Sequence, residues 1–512
     1  MYKLSALYLA FAASFTTAAQ TCSSGSISKP TLFNGRITSL KATQVNDFDL
    51  GGGTSVSFCN VSLTYTHPGE GDNINVQVWL PTKLGWNSRF QGVGGGGWTT
   101  GLTPSSMGAA VNAGYAAGGT DGGHNGSLPT DTWALLSPGN VNLYLLQDFA
   151  SVALNDMTVL GKQVTENFYG KKIKKSYWNG CSTGGRQGLM LAQRYPDAYD
   201  GILAQSPAIN WNPFTMGQFW PYQAMRDVGY VPSPCELNAL RNASIEACDE
   251  LDGLKDGVIG APGLCKFNPF SVVGKRYTCD GGADGKSGRI SRAGATVAMK
   301  FWQGARSATG AFEWFGYAHD SAVDSTANTT CSSNGKCVGV PFAIAEDWIR
   351  LFVQKDANFD PTKMSQAEFD TVYHKAIQEY DSIIGTSDPD LSRFKAGGGK
   401  MITWHGMADP TIMFNGTVDY FQRVLRLDPH ARDFYRFFMA PGVAHCGGGA
   451  GAAPTNPLEQ LVSWVETGHA PDTIPANHTV EETEWKRYLC QYPKISVYKG
   501  GNPARADSYK CE

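Results

Sequence analysis

Ile74, Val76, Val78 and Leu80 alternate with polar residues. Side chains of a strand point alternately to the two faces of its sheet, so this stretch predicts a strand. Residues 90–93 predict a short strand running into Gly94-Gly95-Gly96-Gly97, and residues 115–118 another, ending at Thr120-Asp121-Gly122-Gly123. Residues 143–159 carry apolar side chains at helical spacing. Residues 175–178 read as a strand, Gly180-Cys181-Ser182-Thr183-Gly184-Gly185 as a turn and residues 186–195 as a helix; 202–204 follow as a strand. Strands alternating with helices imply a mostly parallel sheet with helices on its faces. Between 207 and 399 the chain changes character and becomes rich in aromatics, Asp-Gly turns and Cys. Strand signals resume at 401–405 and 435–439. The pattern predicts an α/β core made of residues 20–206 and 400–512, with 207–399 inserted as a second lobe. No repeat of solenoid or propeller period interrupts it.

Composition narrows the function classes. At 512 residues the chain is too long for one compact core, and 42% hydrophobic residues are enough for a real interior. A formal charge of −3 argues against a nucleic-acid partner, which selects for a basic surface. The first nineteen residues have the parts of a secretory leader. Lys3 supplies the positive end, residues 4–15 are mostly apolar but short for a bilayer, and Thr17-Ala18-Ala19 offers small residues for cleavage. All 12 Cys lie after that point, which suits an oxidising compartment. Six N-x-S/T sequons, at Asn60, Asn125, Asn242, Asn328, Asn415 and Asn477, point to a glycoprotein. No further apolar run of spanning length follows, so a secreted protein without a membrane partner is expected. Lys275-Arg276 is a dibasic pair of the kind secretory processing uses.

Gly180 to Gly184 fits G-x-S-x-G between a predicted strand and a predicted helix. A serine hydroxyl is a weak nucleophile, and a sharp strand-to-helix turn lifts it clear of the sheet. Small flanking residues permit the turn. The amide of Thr183 would then face a developing oxyanion. A second donor is expected from the glycine loop at Gly94 to Gly97, with Gly96 as the candidate.

In this fold the order is Ser, then an acid, then His. His445 follows the predicted strand 435–439 in Pro441-Gly442-Val443-Ala444-His445-Cys446, where a base belongs. His430 and His469 follow turn residues, and His478 sits inside a sequon. Asp409 follows strand 401–405 and would hold the imidazole tautomer; Asp419 is the fallback. His405 precedes Asp409 and so reads as a supporting residue. Ser182 and Asp409 are 227 positions apart, Asp409 and His445 only 36, which places the inserted lobe between nucleophile and acid. Such a lobe would cover the sheet's carboxyl edge and bind substrate. Cys181 precedes Ser182 and Cys446 follows His445. If Ser182 and His445 meet, their neighbours come near disulfide range, and a Cys181–Cys446 bridge would staple nucleophile to base.

Cys181-Ser182, Asp409 and His445-Cys446 resemble the CS-D-HC motif of the fungal tannase and feruloyl esterase family. The likeness extends from the Gly94 loop to the last Cys pair. It implies an α/β-hydrolase core with a large lid, and hydrolysis of phenolic-acid esters; the fold alone does not set the substrate. Asp249, Asp252 and Asp256 cluster in a tight loop of the lid, and calcium takes six to eight hard oxygens. The resemblance suggests these three side chains, with the carbonyls of Leu254 and Val258, as ligands of a structural calcium that pins the lid far from the triad. It also implies bridges Cys248–Cys265, Cys22–Cys59 and Cys490–Cys511. Cys235, Cys279, Cys331 and Cys337 stay open, with Cys331–Cys337 one pairing, because the family's partner for Cys279 is missing. The leading expectation is a serine esterase releasing ferulate and related hydroxycinnamates from plant cell-wall polysaccharide. A tannase cleaving galloyl esters is the alternative enzyme, and a non-catalytic carbohydrate-binding protein has no use for a Ser–His staple. Trp211, Phe219 and Trp220 either flank the phenolic ring or form the lid's own core.

Overall fold

The computed structural model describes residues 21–512 apart from 84, 125, 127–129, 280–284 and 323–324. The leader and the sequon at Asn125 lie outside the described residues. Nine strands form one mixed sheet: β1 (Arg36–Gly51), β2 (Thr54–Thr66), β3 (Ile74–Pro81), β4 (Arg89–Val93), β5 (Ala116–Thr120), β6 (Lys175–Cys181), β7 (Gly201–Gln205), β8 (Lys400–Gly406) and β9 (Tyr435–Ala440). Their spatial order is β1-β2-β3-β5-β4-β6-β7-β8-β9. β1, β2, β3 and β5 pair antiparallel; β5, β4, β6, β7, β8 and β9 run parallel. This is an α/β-hydrolase sheet, with a hairpin added at one edge.

The helices that matter for the site are α1 (Pro104–Asn112), α2 (Leu143–Ala150), α3 (Val152–Tyr169), α4 (Thr183–Arg194), α5 (Trp211–Val228), α6 (Gln366–Ile384), α7 (Phe414–Leu427) and α8 (Pro457–Thr467). One sheet face is covered by α3, α4 and α7 through Leu160, Leu189 and Phe421. The other is covered by α1 and α8 through Met107, Val111, Leu461 and Trp464. Covering on both faces explains why the central strands run one to three residues past their expected ends: their sequences are apolar in both directions and alternation is lost. The single helix expected over 143–159 is two, α2 and α3, broken at Ser151 with φ −160° and ψ −42°. Helix α4 starts at Thr183, directly after Ser182 and three residues earlier than expected.

The β1–β2 hairpin, unanticipated from the sequence, turns on Gly52 and Gly53, with φ of 60° and 78°. Such a two-residue turn needs both central residues at positive φ. Cys59, Val61, Leu63 and Tyr65 of β2 alternate into the core.

The long insertion leaves after β7 and returns at β8, its direct neighbour, with Lys400 opposite Gly201. Trp211, Phe219 and Trp220 are 1%, 0% and 2% exposed. They pack with Phe369 and Tyr373 of α6 and with Trp98, Trp133 and Phe149 from the other part of the chain. These three lid aromatics therefore form lid core and do not flank a substrate ring. Leu391 and Phe394, near the end of the insertion, pack on the sheet side instead. Six disulfides use all 12 Cys: 22–59, 181–446, 235–279, 248–265, 331–337 and 490–511. Asn242 and Asn328 are exposed, while Asn60, Asn415 and Asn477 are half-buried. Among the described residues no helix is long and apolar enough to cross a membrane.

One buried charge cluster ties β2 to α2 and α3. His67 Nδ1 lies 2.6 Å from Asp72 Oδ2 and Nε2 lies 3.1 Å from Asp156 Oδ2, to which the Tyr65 hydroxyl also donates. Glu70 approaches the same imidazole at 3.7 Å. Both nitrogens face carboxylates, so this group is an ion-pair cluster. Asp148 of α2 is 1% exposed, and its Oδ2 has no hydrogen-bond partner among the described residues. Burial, aided by the charges of Asp72, Glu70 and Asp156 against that of His67, pushes its carboxyl up to about 8. The folded protein then binds a proton that the unfolded chain releases near 3.8, so stability falls as pH rises through that window. His67, raised because its carboxylate partners outweigh burial, acts in the same direction. Asp148→Asn is expected to remove roughly 2–5 kcal/mol of this pH dependence. Thermal midpoints at pH 4, 6 and 8 check it: the wild-type decline should flatten in the variant, and parallel curves would refute the assignment.

Candidate active site

Ser182 sits between β6 and α4 with φ 63° and ψ −123°. A non-glycine residue there costs on the order of 1–3 kcal/mol and persists only when its surroundings enforce it. They do so through the backbone. Ser182 N–H donates to Gln205 O at 3.0 Å, and Ser182 O accepts from Arg186 and Ala208 at 3.0 and 3.1 Å. The flanking glycines are required by close approach. A Cβ on Gly180 would lie 2.5 Å from Gly184 O, and one on Gly94 would lie 2.5 Å from Gly184 Cα. The G-x-S-x-G spacing is thus the imprint of the glycine loop resting directly on the first turn of α4.

That loop is oriented by four hydrogen bonds. Gly94 N–H donates to Asn179 O at 3.0 Å and Gly95 N–H to Gln187 Oε1 at 3.2 Å. Gly95 O accepts from Gly184 N at 3.0 Å, and Gly97 O from the Thr183 hydroxyl at 2.8 Å. The amides of Thr183, Gly96 and Gly97 are left without a partner among the described residues. Thr183 and Gly96, the donors expected from sequence, are therefore free to donate. Gln187, one helical turn after Thr183, was not singled out; its position on the first turn of the helix after the serine is the signal that would have found it.

Asp409 follows β8 and is 2% exposed. Its Oδ2 lies 2.8 Å from His445 Nδ1 and 3.2 Å from His405 Nε2. Its Oδ1 accepts the amides of Thr411 and Ile412, both at 2.8 Å. Burial acts to raise this carboxyl, but the two imidazoles and their hydrogen bonds outweigh it and hold the group well below the usual carboxylate range. His405, fully buried, takes up the supporting position: Nδ1 pairs with the Thr417 hydroxyl at 2.9 Å and Nε2 faces both Asp409 Oδ2 and Ile412 O. Two acceptors at Nε2 place the proton there. Asp419, the fallback acid, pairs with Arg423 at 2.8 Å on α7. His430 and His469 are exposed, and His478 lies on a separate strand, Thr473–Val480.

The Cys181–Cys446 bridge holds the neighbours of Ser182 and His445 at a Cα–Cα distance of 6.0 Å. Ser182, His445 and both halves of the bridge line one open cavity of about 770 Å³ together with Gly94 to Gly97. Its described lining comes from residues 91–113, 179–205 and 445–459 and from none between 207 and 399.

The acidic loop lies in the inserted lobe. Asp249 accepts the amides of Asp256 and Gly257 at 3.0 and 2.8 Å, and Asp252 accepts that of Leu254 at 3.1 Å. Cys248–Cys265 closes the loop. Asp249 and Asp252 are buried, and burial, reinforced by Asp256 and Asp249, pushes Asp252 up to about 6. Among the described residues the three carboxylates do not form one group with all members within 4.8 Å of one another, and Asp256 gives one oxygen to Arg487 at 2.6 Å. Buried, mutually repelling oxygen donors are a set that a hard divalent cation fits. Val258 packs on Gly442, where a Cβ would meet Val258 Cγ2 at 2.7 Å, three positions before His445.

A family model described as tannase and feruloyl esterase matches residues 59–512. A "probable feruloyl esterase" of Arthroderma benhamiae is 43% identical over 469 residues, spanning 90% of this chain and 86% of that one. The solved structure of a tannin acyl hydrolase from Aspergillus niger matches with a TM-score of 0.86 and 28% identity, over 96% of both chains. Feruloyl esterase B from Aspergillus oryzae matches with a TM-score of 0.77 and 28% identity, over 94% of this chain and 98% of that one.

The two bridges at the extremes of loop length separate geometry from stability. Chain entropy assigns about 5–6 kcal/mol to a crosslink spanning 265 positions and about 2 to one spanning 6. Replacing Cys181 and Cys446 together by Ala should lower the thermal midpoint and also cut kcat at least ~10-fold, because small displacements of reacting groups are costly. Replacing Cys331 and Cys337 should cost less stability and leave kcat within about twofold. Equal effects on kcat would show that the first bridge does not position the site.

Proposed function

The chain belongs to the tannase and feruloyl esterase family and is a carboxylic ester hydrolase; we propose that it is a secreted serine esterase that releases ferulic and related hydroxycinnamic acids from plant cell-wall polysaccharide. The observation that carries the mechanism is the 2.8 Å pairing of His445 with buried Asp409, on a loop stapled beside a strained Ser182. In this reading Ser182 Oγ attacks the ester carbonyl and its proton passes to His445 Nε2. Asp409 stays ionised and stabilises the imidazolium. The amides of Thr183 and Gly96 receive the oxyanion. The acyl–oxygen bond breaks, the alcohol leaves with the proton from His445, and an acyl-enzyme remains. Water, deprotonated by the same imidazole, then releases the acid. Secretion is supported by the leader-like first nineteen residues and by six disulfides, which form in oxidising compartments.

The likeness to the tannin acyl hydrolase favours galloyl ester hydrolysis as the second reading. Methyl ferulate and methyl gallate separate the two, with Ser182→Ala as control. Ferulate release that falls at least ~10³-fold in the variant is the expected result. Release of gallate alone would establish the second reading, and cleavage of neither ester would overturn both.

We propose further that the lid carries a structural calcium held by the side chains of Asp249, Asp252 and Asp256 and the carbonyls of Leu254 and Val258. Its chemistry there would be charge neutralisation, relieving the repulsion that adds to burial in raising Asp252. Calcium at about 100 times its dissociation constant should add roughly 2.7 kcal/mol of stability. Chelator should therefore lower the thermal midpoint, added calcium should restore it, and Asp252→Asn should abolish the response. A midpoint indifferent to chelator and calcium sinks the assignment.

A further inference from the structure

The cavity holding Ser182 and His445 continues away from the lid, between α1 and α8, over a floor of three side-chain amides. Gln91, Asn179 and Gln205 stand on the adjacent strands β4, β6 and β7, with Asn179 opposite Val93 and Gln205 opposite Cys181. All three line the cavity. They share a sheet face with Val93, Tyr177 and Leu203, which are 1%, 0% and 1% exposed in the apolar core. An apolar face interrupted by amides on three neighbouring strands has no packing rationale, because each buried polar atom then needs a partner.

Only part of that need is met within the protein. Trp404 Nε1 donates to Gln205 Oε1 at 2.9 Å, and Gln205 Nε2 donates to Asn179 Oδ1 at 2.9 Å. This relay fixes both amides and leaves the Asn179 NH₂ group without a recorded acceptor among the described residues. Gln91 is 3% exposed, and its buried Oε1 has no partner among the described residues. The floor thus offers donors at Asn179, with the unpaired Gln91 Oε1 buried beneath it. Glu459, exposed on α8, adds an acceptor at the rim. A hydroxyl group both donates and accepts, so a donor on the floor and an acceptor at the rim match a polyol. An aromatic acid instead calls for flat apolar walls and ring partners, and this lining contains no Phe, Tyr or Trp. The wall at α1 is formed by small residues, Ser106 and Ala109 on the helix and Ala113 just after it. A cavity of about 770 Å³ falls in the range of small-molecule sites.

We propose that this groove is the subsite for the alcohol part of the ester and that it is built for a saccharide. The inference deepens the esterase reading and rests on Ser182 and His445 as the reacting pair. Gln91, Asn179 and Gln205 are positioning residues for the sugar, outside the bond-breaking step.

The test compares kcat/KM for a feruloylated oligosaccharide with kcat/KM for methyl ferulate, which shares the acyl group but lacks the sugar. Two variants act on the groove by different means. Ala109→Trp fills it from an exposed helix position that no core packing depends on. Gln91→Leu removes the floor amide at similar volume. In each, the ratio of oligosaccharide to methyl ester should fall at least ~10-fold, the loss expected when hydrogen-bonding partners of a bound hydroxyl are removed. An unchanged ratio in both variants, with wild type cleaving both esters, overturns the groove assignment and leaves the esterase reading standing. Equal loss on the two esters also overturns it, because the groove would then serve the acyl group or the reacting pair. Cleavage of neither ester by wild type removes the esterase reading and this inference together.

Discussion

The Cys181–Cys446 bridge joins two points separated by 265 positions of chain, and the candidate triad depends on it. The sheet alone places its parts badly. Ser182 follows β6 and His445 follows β9, three strands away in the order β6-β7-β8-β9. At 4.7–4.9 Å per strand that is about 14 Å. The segment after β9 must therefore fold back across the end of β8. It does so through backbone pairs, Met407 N to Ala440 O at 2.9 Å and Ala408 N to Val443 O at 3.0 Å. Those bonds carry the loop past Asp409, and the disulfide fixes it at the elbow. The covalent link closes across the long insertion that lies between Ser182 and Asp409 in the sequence.

The insertion is nevertheless locked to the same parts. Ser321 donates to Asp409 O at 3.0 Å, and Val258 packs on Gly442. Arg186, on the first turn of α4, is fully buried and donates to Ala150 O, Phe149 O and the Thr386 hydroxyl at 2.9, 3.2 and 3.4 Å. Its guanidinium also lies over the rings of Phe149 and Trp211, at 5.4 and 5.7 Å. No carboxylate pairs with it among the described residues, and burial pulls it down to about 9. A cation held only by carbonyls, a hydroxyl and ring faces is costly to bury, and the same groups cannot be rearranged without exposing it. The arrangement makes helix α4, the α2 segment and the inserted lobe one packing unit, which is why the lobe's aromatic cluster includes Trp98, Trp133 and Phe149.

How legible each feature was in the sequence follows from how local its cause is. Gly180, Ser182 and Gly184 lie within one turn, and their constraint is a contact between neighbouring backbones, so five residues carried it. Cys181 and Cys446 were legible because each adjoins a residue already singled out. Cys235–Cys279 was not, since order along the chain does not fix connectivity. The β1–β2 hairpin was missed although Cys59, Val61, Leu63 and Tyr65 alternate; the polar outer face of β1, with Lys41, Asp47 and Asp49, concealed it. The break at Ser151 leaves no sign in hydrophobic spacing, because α2 and α3 both bury apolar faces. Gln91, Asn179 and Gln205 are unremarkable where they stand in the chain. Only the strand order, in which β4, β6 and β7 become neighbours, turns them into a floor.

The balance at Asp409 shows how the fold prepares chemistry before substrate arrives. A carboxyl this deeply buried would ordinarily be neutral, because desolvation disfavours the charged form. A neutral acid would neither orient the His445 proton nor stabilise an imidazolium. Two amides at Oδ1 and two imidazoles at Oδ2 reverse the outcome and keep the group ionised. His405 is essential to that reversal in a way its place in the sequence conceals. Its Nδ1 is bonded to the Thr417 hydroxyl and its Nε2 faces two acceptors, so its proton is committed to Asp409 and Ile412. A supporting histidine so fixed supplies a permanent donor to Oδ2 that does not depend on His445. In the proposed reaction the acid would therefore keep the same charge through both halves, and His445 would be the group left to change.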